Sequence, residues 1–280
     1  MTSTTLSERD LQVVAEEARA RRKRAMEAPV LGLLGVVLVT ALVELVPRLG
    51  IVDRRFLPPA SEIFGALFGL LGDGKFWQAL LDTTITWATG LAIAMVLGVG
   101  LGMLIGSFPV VREFVASTIE FLRPIPSVAL IPLVVLLLGT GRPSTLVLVV
   151  YAAFWQVLVQ VLYGVADVDP VARDTASTYH FRFLSKGYWV VWPTALPYVV
   201  TGFRLAATVS LVLTLTGELI ISTPGLGQQI SIAQSSNAVP MMYALIVVAG
   251  ILGVGVNVMA RFVEAKALFW HPSVRKESGQ

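Results

Sequence analysis

Cysteine is absent from all 280 residues, which excludes disulfides, thiolate metal sites and a lipid-bearing cysteine anchor. The two histidines, His180 and His271, are too few for a histidine-built metal cluster, and both fall outside the apolar runs. Charge is scarce: 14% of residues are Asp, Glu, Lys or Arg, against about a quarter in soluble domains. No G-x-x-x-x-G-K-[ST] loop occurs, so the chain lacks the phosphate cradle needed to hydrolyse ATP by itself. No H-E-x-x-H or serine–histidine–acid arrangement appears either. These absences predict a protein that is not an enzyme and has no metal and no cofactor of its own. A net charge of +3 gives no argument for nucleic-acid binding.

Apolar residues are abundant, at 55% of the chain with a mean hydropathy of +0.77. A helix needs about 20 apolar residues to cross a bilayer. Runs of that kind lie near 29–47, 83–107, 114–138 (interrupted), 144–163, 197–221 and 242–262. The expected class is therefore all-α and polytopic, with about six membrane helices in one domain over 29–269, a polar arm at 1–28 and a tail at 270–280. In the arm, Ser7 and Asp10 have capping-box spacing, and Arg19, Arg21, Arg22, Lys23 and Arg24 stand directly before the first apolar run. That run reads as a retained anchor with a cytoplasmic N-terminus, because it is long and no cleavage-type site follows it. Six crossings return the C-terminus to the same side. Arg112, Arg173, Arg182, Lys186, Arg261 and Lys266 then fall inside, and Arg48, Arg54, Arg55, Lys75 and Arg142 outside, the bias expected of a multi-pass protein.

The longest polar interruption runs over 167–197 and carries its own helix grammar. Asp169 supplies an N-cap and Pro170 suits the first helical position. Ala172, Thr175, Ala176 and Tyr179 then share one face, suited to docking on another surface. Trp192-Pro193 and Leu196-Pro197 bend or end whatever helix precedes them.

Gly90, Ala94, Gly98, Gly102 and Gly106 recur every fourth residue in the second span, a stripe that lets helix backbones approach closely. Gly250, Gly253 and Gly255 suggest a second close contact or a flexible point. In the third span, Arg123, Pro124, Pro126 and Pro132 predict a broken helix, tolerated in lipid only where protein or a water-filled cavity satisfies the freed backbone, so the break should face the interior. Arg123 reads either as an interfacial arginine paired with Glu120 or as a cation beside a translocation pathway. Gln156 and Gln160 share a face of the fourth span. Hydroxyls of the fifth span are expected to bond to their own preceding turn. Glu218 reads as a pathway or gate acid, as a cap of the following turn, or as the partner of a basic neighbour. Glu44 reads as interfacial. Gly225 and Gly227 flank a tight turn before a short helical stretch, and Ser61 resembles an N-cap after Pro58-Pro59.

Several of these strings together resemble one family, the binding-protein-dependent ABC importer permeases, and within it the nitrate, sulfonate, taurine and bicarbonate group. The coupling motif of that family reads EAA, three residues, G, nine residues, I-x-LP. Here it aligns as Asp174-Thr175-Ala176, His180, then Val190-Val191-Trp192-Pro193, in register but chemically altered. The stretch Arg123-Pro124-Ile125-Pro126, the Leu57-Pro58-Pro59-Ala60-Ser61-Glu62 loop and Gly225-Leu226-Gly227 resemble the same group in the same order.

The resemblance implies a type I importer fold with a cytoplasmic coupling helix, in the bacterial inner membrane. It implies ATPase subunits that hold ATP and Mg, an extracytoplasmic solute-binding protein, and a second permease chain. That chain is identical, or different given the altered coupling motif. Asp174, Thr175, Ala176, Tyr179, His180 and Pro193 would meet the ATPase. Arg123, Pro126, Gln156, Glu218, Gly225 and Gly227 would line the pathway or gate. A small anion is the expected cargo. The rival class is an ion-coupled secondary transporter with Glu218 or Glu44 as its ion site.

Overall fold

The structure is a computed structural model that describes residues 30–269; the expected N-terminal arm, its Ser7–Asp10 box and the C-terminal tail lie outside the described residues. Two compact units divide the chain, residues 1–66 and 67–280.

In the first unit, helix α1 (Val30–Arg48) is apolar along its length, and Val30, Leu31, Leu33 and Leu34 are each more than 60% exposed. That surface suits lipid tails. At the helix end Glu44 accepts hydrogen bonds from the Ser61 backbone N–H (2.9 Å) and the Ser61 hydroxyl (3.1 Å) and pairs with Arg48. Ser61 is thus not the N-cap its spacing suggested. It lies in the first turn of α2 (Ala60–Leu71), and the acceptor for the free N–H comes from Glu44, sixteen residues before the helix begins.

The second unit is built on three long helices, α3 (Gly74–Ser107), α6 (Arg142–Ala166) and α9 (Trp192–Ile221). Their register follows from the small residues. Gly98, Gly102 and Gly106 of α3 face Val157, Val161 and Val165 of α6, rising together along both helices, so α3 and α6 run parallel. Gly164, Gly202 and Gly217 mark the α6–α9 seam against Ala195, Gln160 and Thr145, one series rising as the other falls, so α9 is antiparallel. Close packing thereby accounts for the stripe in the second span.

Two parallel helices joined by a connecting chain require that chain to cross back. The returning path is α4 (Pro109–Leu122), a single 3-10 turn (Ser127–Leu130) and α5 (Ile131–Leu138), bent by 82° at the proline cluster. Among the described residues five helices are long and apolar enough to span a membrane, and there are six if the bent pair counts as one span. The Tyr151 hydroxyl donates to the Leu122 carbonyl (2.8 Å), one of the carbonyls the break sets free. The break itself is not enclosed by this chain: Arg123, Pro124 and Pro126 are exposed. Nor do Arg123 and Glu120 form an ion pair among the described residues.

Helix α11 (Val239–Ala267) runs antiparallel to α9, with Gly253 near Leu211 and Glu264 bonded to Arg204 (3.3 Å). Gly250 and Gly255 have nothing within 4 Å of where a Cβ would lie, so of the three glycines expected to make a close contact or a flexible point, Gly253 alone meets another helix among the described residues. The hydroxyls of Thr201, Thr208, Thr214 and Thr216 each bond to the carbonyl four residues back, as expected of hydroxyls in membrane helices.

Candidate functional site

Two assemblies of polar side chains stand at opposite ends of the three-helix core. About 20 residues of α6 separate them, roughly 30 Å at 1.5 Å per residue.

At one end Glu218, fully buried near the end of α9, is the centre of a knot. Its Oε2 accepts from the Thr83 hydroxyl of α3 (2.8 Å) and from the Gly227 backbone N–H (3.0 Å). Thr83 in turn accepts from the Leu226 N–H (2.8 Å). Those two N–H groups are the first of helix α10 (Leu226–Ser235), whose N-terminus would otherwise bury unpaired donors. A carboxylate at this position also complements the partial positive charge of the helix start.

The chain reaches α10 by a left-handed residue, Ser222 (φ 61°), whose carbonyl accepts from Gln228 Nε2 (2.8 Å). Thr145 and Thr223 share a buried hydroxyl bond of 3.0 Å beside it. Asp82, next to Thr83, pairs with Arg142 at the start of α6.

Both glycines of the turn are needed for approach. A Cβ on Gly225 would overlap the Glu218 carboxyl group, and one on Gly227 would lie 2.7 Å from Glu218 Cβ and against the Leu215 carbonyl. Glu218, Gly225 and Gly227 are therefore brought together as one device, and the capping alternative for Glu218 describes what it does. Thr83, Asp82 and Arg142 were not among the residues singled out from sequence. Thr83 and Thr86 stand seven and four residues ahead of Gly90, so they extend the small-residue stripe, and that periodicity could have found them.

At the other end lies helix α7 (Pro170–Thr178), capped by Asp169, whose carboxylate accepts from the Val171 N–H (2.8 Å). Asp174, Thr175, Tyr179 and His180 are exposed, as is Pro193 in the first turn of α9. Ala176 is buried instead, so the expected docking face is split: its alanine packs inward while Thr175 and Tyr179 stay free. One tie holds α7 to the membrane helices, the Arg173 guanidinium donating to the Val165 carbonyl at the end of α6, and beside it Tyr198 of α9 donates to Asp167 (3.0 Å), the residue that caps α6. Lys186, in the short helix α8 (Phe183–Lys186), donates to Ser177 (2.7 Å). Five residues of π-helix, Gly187–Val191, join α8 to α9.

His180 ends α7 in the left-handed region at φ 54°. Its N–H reaches the Ser177 carbonyl (3.0 Å) and the Phe181 N–H reaches that of Ala176 (2.9 Å), the pair of bonds that defines a Schellman close. Glycine is the usual residue there, because a Cβ costs about 1–2 kcal/mol in that conformation. Replacing His180 by glycine is expected to stabilise the protein by roughly 0.5–1 kcal/mol after the added freedom of the unfolded glycine is counted. A higher midpoint in detergent-solubilised thermal unfolding checks this; a lower one shows that the imidazole makes a compensating contact.

The remaining pathway candidates join neither assembly. Arg123 and Pro126 lie at the bend of α4 and α5, and Gln156 is half-buried near the middle of α6.

Comparison with known proteins places this geometry. Residues 94–268 match the family model described as the binding-protein-dependent transport system inner membrane component. The taurine transport system permease protein TauC of Escherichia coli is 29% identical, covering 82% of this chain and 86% of that protein. The bicarbonate transport system permease protein CmpB of Synechococcus elongatus is 28% identical over 70% of this chain and 69% of its own. Among solved structures, an inward-facing form of the methionine ABC transporter MetNI superposes with a TM-score of 0.59 at 15% identity, over 69% of this chain and 96% of the other.

Proposed function

The chain belongs to the family of binding-protein-dependent transport system inner membrane components, and from that premise we propose that it imports a small anion by alternating access driven through α7. ABC importer permeases of this family are not themselves catalytic, so the work of ATP hydrolysis falls to separate ATPase subunits, and delivery of cargo to an extracytoplasmic binding protein. Taurine and bicarbonate, named for the two relatives, are both small and each carries an anionic oxygen group, the sulfonate of the zwitterion taurine and the oxygens of bicarbonate.

The observation that carries this reading is the connection of α7 to α6 through Arg173–Val165, and of the α6 cap to α9 through Asp167–Tyr198, at the end opposite the Glu218 knot. A push on α7 is passed to the end of α6 and through Asp167 to α9, and about 30 Å away the same two helices hold the turn into α10 through Thr145 and Glu218. The basic residues support the direction. Arg112, Arg173, Arg182, Lys186, Arg261 and Lys266 gather at the α7 end, whereas Lys75 and Arg142 stand at the α10 end, so α7 faces the cytoplasm and α10 the outside.

Arg123 sits near mid-depth, because the Leu122 carbonyl beside it is bonded to Tyr151, midway along α6. An arginine exposed to lipid at that depth costs about 2.5–3.5 kcal/mol even on the lower estimates. Its exposure on this chain is therefore best matched by a second permease chain or by a water-filled path shared with it, where a cation would favour anionic cargo.

The absence of cysteine makes the test direct. Thr175→Cys puts a single thiol on α7. It is expected to react with a membrane-impermeant maleimide in inside-out vesicles and not in right-side-out ones, and to form a crosslink to the ATPase subunit in the purified complex. Labelling from the outer side would overturn the assignment of α7 as the coupling element.

A further inference from the structure

We propose that the α7 end carries a binding site for one anionic phospholipid, with its phosphate held between Arg173 and Lys186 and an acyl chain in the groove beside them. The proposal goes beyond transport and rests on the reading above only in placing this end at the cytoplasmic leaflet.

Three observations converge. A cavity of about 200 Å³ opens between the ends of α3 and α6 and the start of the α8–α9 segment, lined by Ser107, Phe108, Val165, Arg173, Lys186 and Val191. Two of its lining groups are cations and none is an acid. Of the Arg173 guanidinium, one nitrogen is committed to the Val165 carbonyl, while Nε is buried with no hydrogen-bond partner. A buried cationic donor left unpaired is costly, and a phosphate oxygen is the acceptor a guanidinium fork fits best.

The second observation is continuity with an apolar groove. The cavity shares Ser107, Phe183 and Gly187 with a groove of about 380 Å³ whose other walls include Met103, Leu104, Tyr188 and Trp192. Gly100 forms part of its floor and has nothing within 4 Å of where a Cβ would lie. A free phosphate or a soluble anion has no use for such a groove. A phospholipid matches both halves at once.

The third is position. Tyr188 and Trp189 are 64% and 69% exposed, side by side, one turn after Lys186. Aromatic residues of this kind sit at the headgroup level of a bilayer, and lysine and arginine near the cytoplasmic leaflet attract anionic lipids. The cavity thus lies at the depth of the phosphates. A lipid seated there would touch α3, the hinge into α9 and, through Arg173 and Lys186, the coupling helix, so it would brace α7 against the spans.

The experiment uses the full-length chain in its assembled transporter, purified in mild detergent and titrated with phosphatidylglycerol, phosphatidylcholine and inorganic phosphate under native mass spectrometry. Phosphatidylglycerol adducts are expected to form at about fivefold lower concentration than phosphatidylcholine adducts, and Lys186→Gln is expected to remove most of that preference. Arg173→Gln should do the same, and because Arg173 also ties α7 to α6, the half-exposed Lys186 is the variant that does not depend on folding. Arg182→Gln, an exposed neighbour outside the cavity, should leave the preference unchanged. Equal binding of the two lipids, or an intact preference in Lys186→Gln, overturns the site. Displacement of phosphatidylglycerol by inorganic phosphate alone overturns the lipid in favour of a soluble anion. If instead α7 proved to lie outside the cell, the maleimide test would fail while the lipid preference stayed, so the two failures are separable.

Discussion

Replacing Glu218 by alanine is expected to abolish solute uptake and to lower stability by roughly 2–4 kcal/mol, the cost of leaving two buried donors without their acceptor. The donors are the Thr83 hydroxyl and the Gly227 N–H, both within 3.0 Å of Oε2. Without the carboxylate the start of α10 loses its attachment to α9 and keeps only the Leu226 N–H bond to Thr83 of α3. Glu218→Gln keeps an oxygen of the same reach and should cost less than half as much, with ATP-dependent uptake retained at a reduced rate.

A cycle with Thr83→Val gives the sharper result. Because the two side chains share one hydrogen bond, the double variant should be less damaged than the sum of the singles by about 1 kcal/mol or more. Additive losses would show that Glu218 acts elsewhere. The same pair of variants separates the rival transport class: an ion-coupled carrier using Glu218 as its ion site would lose uptake in Glu218→Gln and would not need ATP.

Much of the fold was legible because membrane helices are read from length and polarity alone. The apolar runs placed all the crossings, and the proline cluster at 124–132 located the break. The helix start at Asp169-Pro170 was readable because a cap and a proline act locally. What failed required a partner distant in sequence. Ser61 has the composition of a cap, yet the acceptor is Glu44, a residue that composition alone left at the interface. Ala176 carries the helical periodicity of a docking face, but periodicity does not say which neighbour a face meets, and here part of it meets the chain itself.

The altered coupling motif has a similar lesson. His180 stands where the motif it resembles has glycine and takes the left-handed conformation that glycine favours, so the Schellman bonds form at the expense of strain. At the opposite end, Glu218, Gly225 and Gly227 were each visible, whereas Thr83, 135 residues before Glu218, was hidden by looking like any other threonine of a membrane helix.

Substituting Gly98 or Gly102 by alanine is expected to destabilise the protein by about 1–3 kcal/mol, and by leucine to prevent assembly of the helix core. A Cβ on Gly98 would come within 2.7 Å of Val157 Cβ, and one on Gly102 within 2.7 Å of Val161 Cβ, closer than real carbon atoms approach. The offending atoms are Cβ atoms fixed to the backbone, and both valines are fully buried, so no rotamer change relieves the clash. The helices must separate, and in lipid no hydrophobic effect drives them back together, since their association depends on close van der Waals packing.

Gly100 lies two residues away, on the other side of the same helix, with no atom within 4 Å, so Gly100→Ala should be neutral or slightly stabilising by helix propensity. The contrast between Gly98 and Gly100 separates a packing effect from a general intolerance of the helix. A compensating change completes the argument: Val157→Gly removes the opposing Cβ, so its pairing with Gly98→Ala should lose less than the sum of the two single variants, while Val161→Gly, one turn further on, should simply add its own loss. Thermal midpoints and size-exclusion profiles of the four single variants and the two pairs decide it. Equal losses at Gly98 and Gly100, or strictly additive losses in the Gly98→Ala, Val157→Gly pair, would mean that the parallel α3–α6 seam is not where the core is held. The consequence reaches transport, because α6 carries both the Val165 carbonyl that Arg173 grips and the Thr145 hydroxyl beside the knot. Separating α6 from α3 would therefore weaken the proposed path between the two ends even in a protein that still inserts and folds.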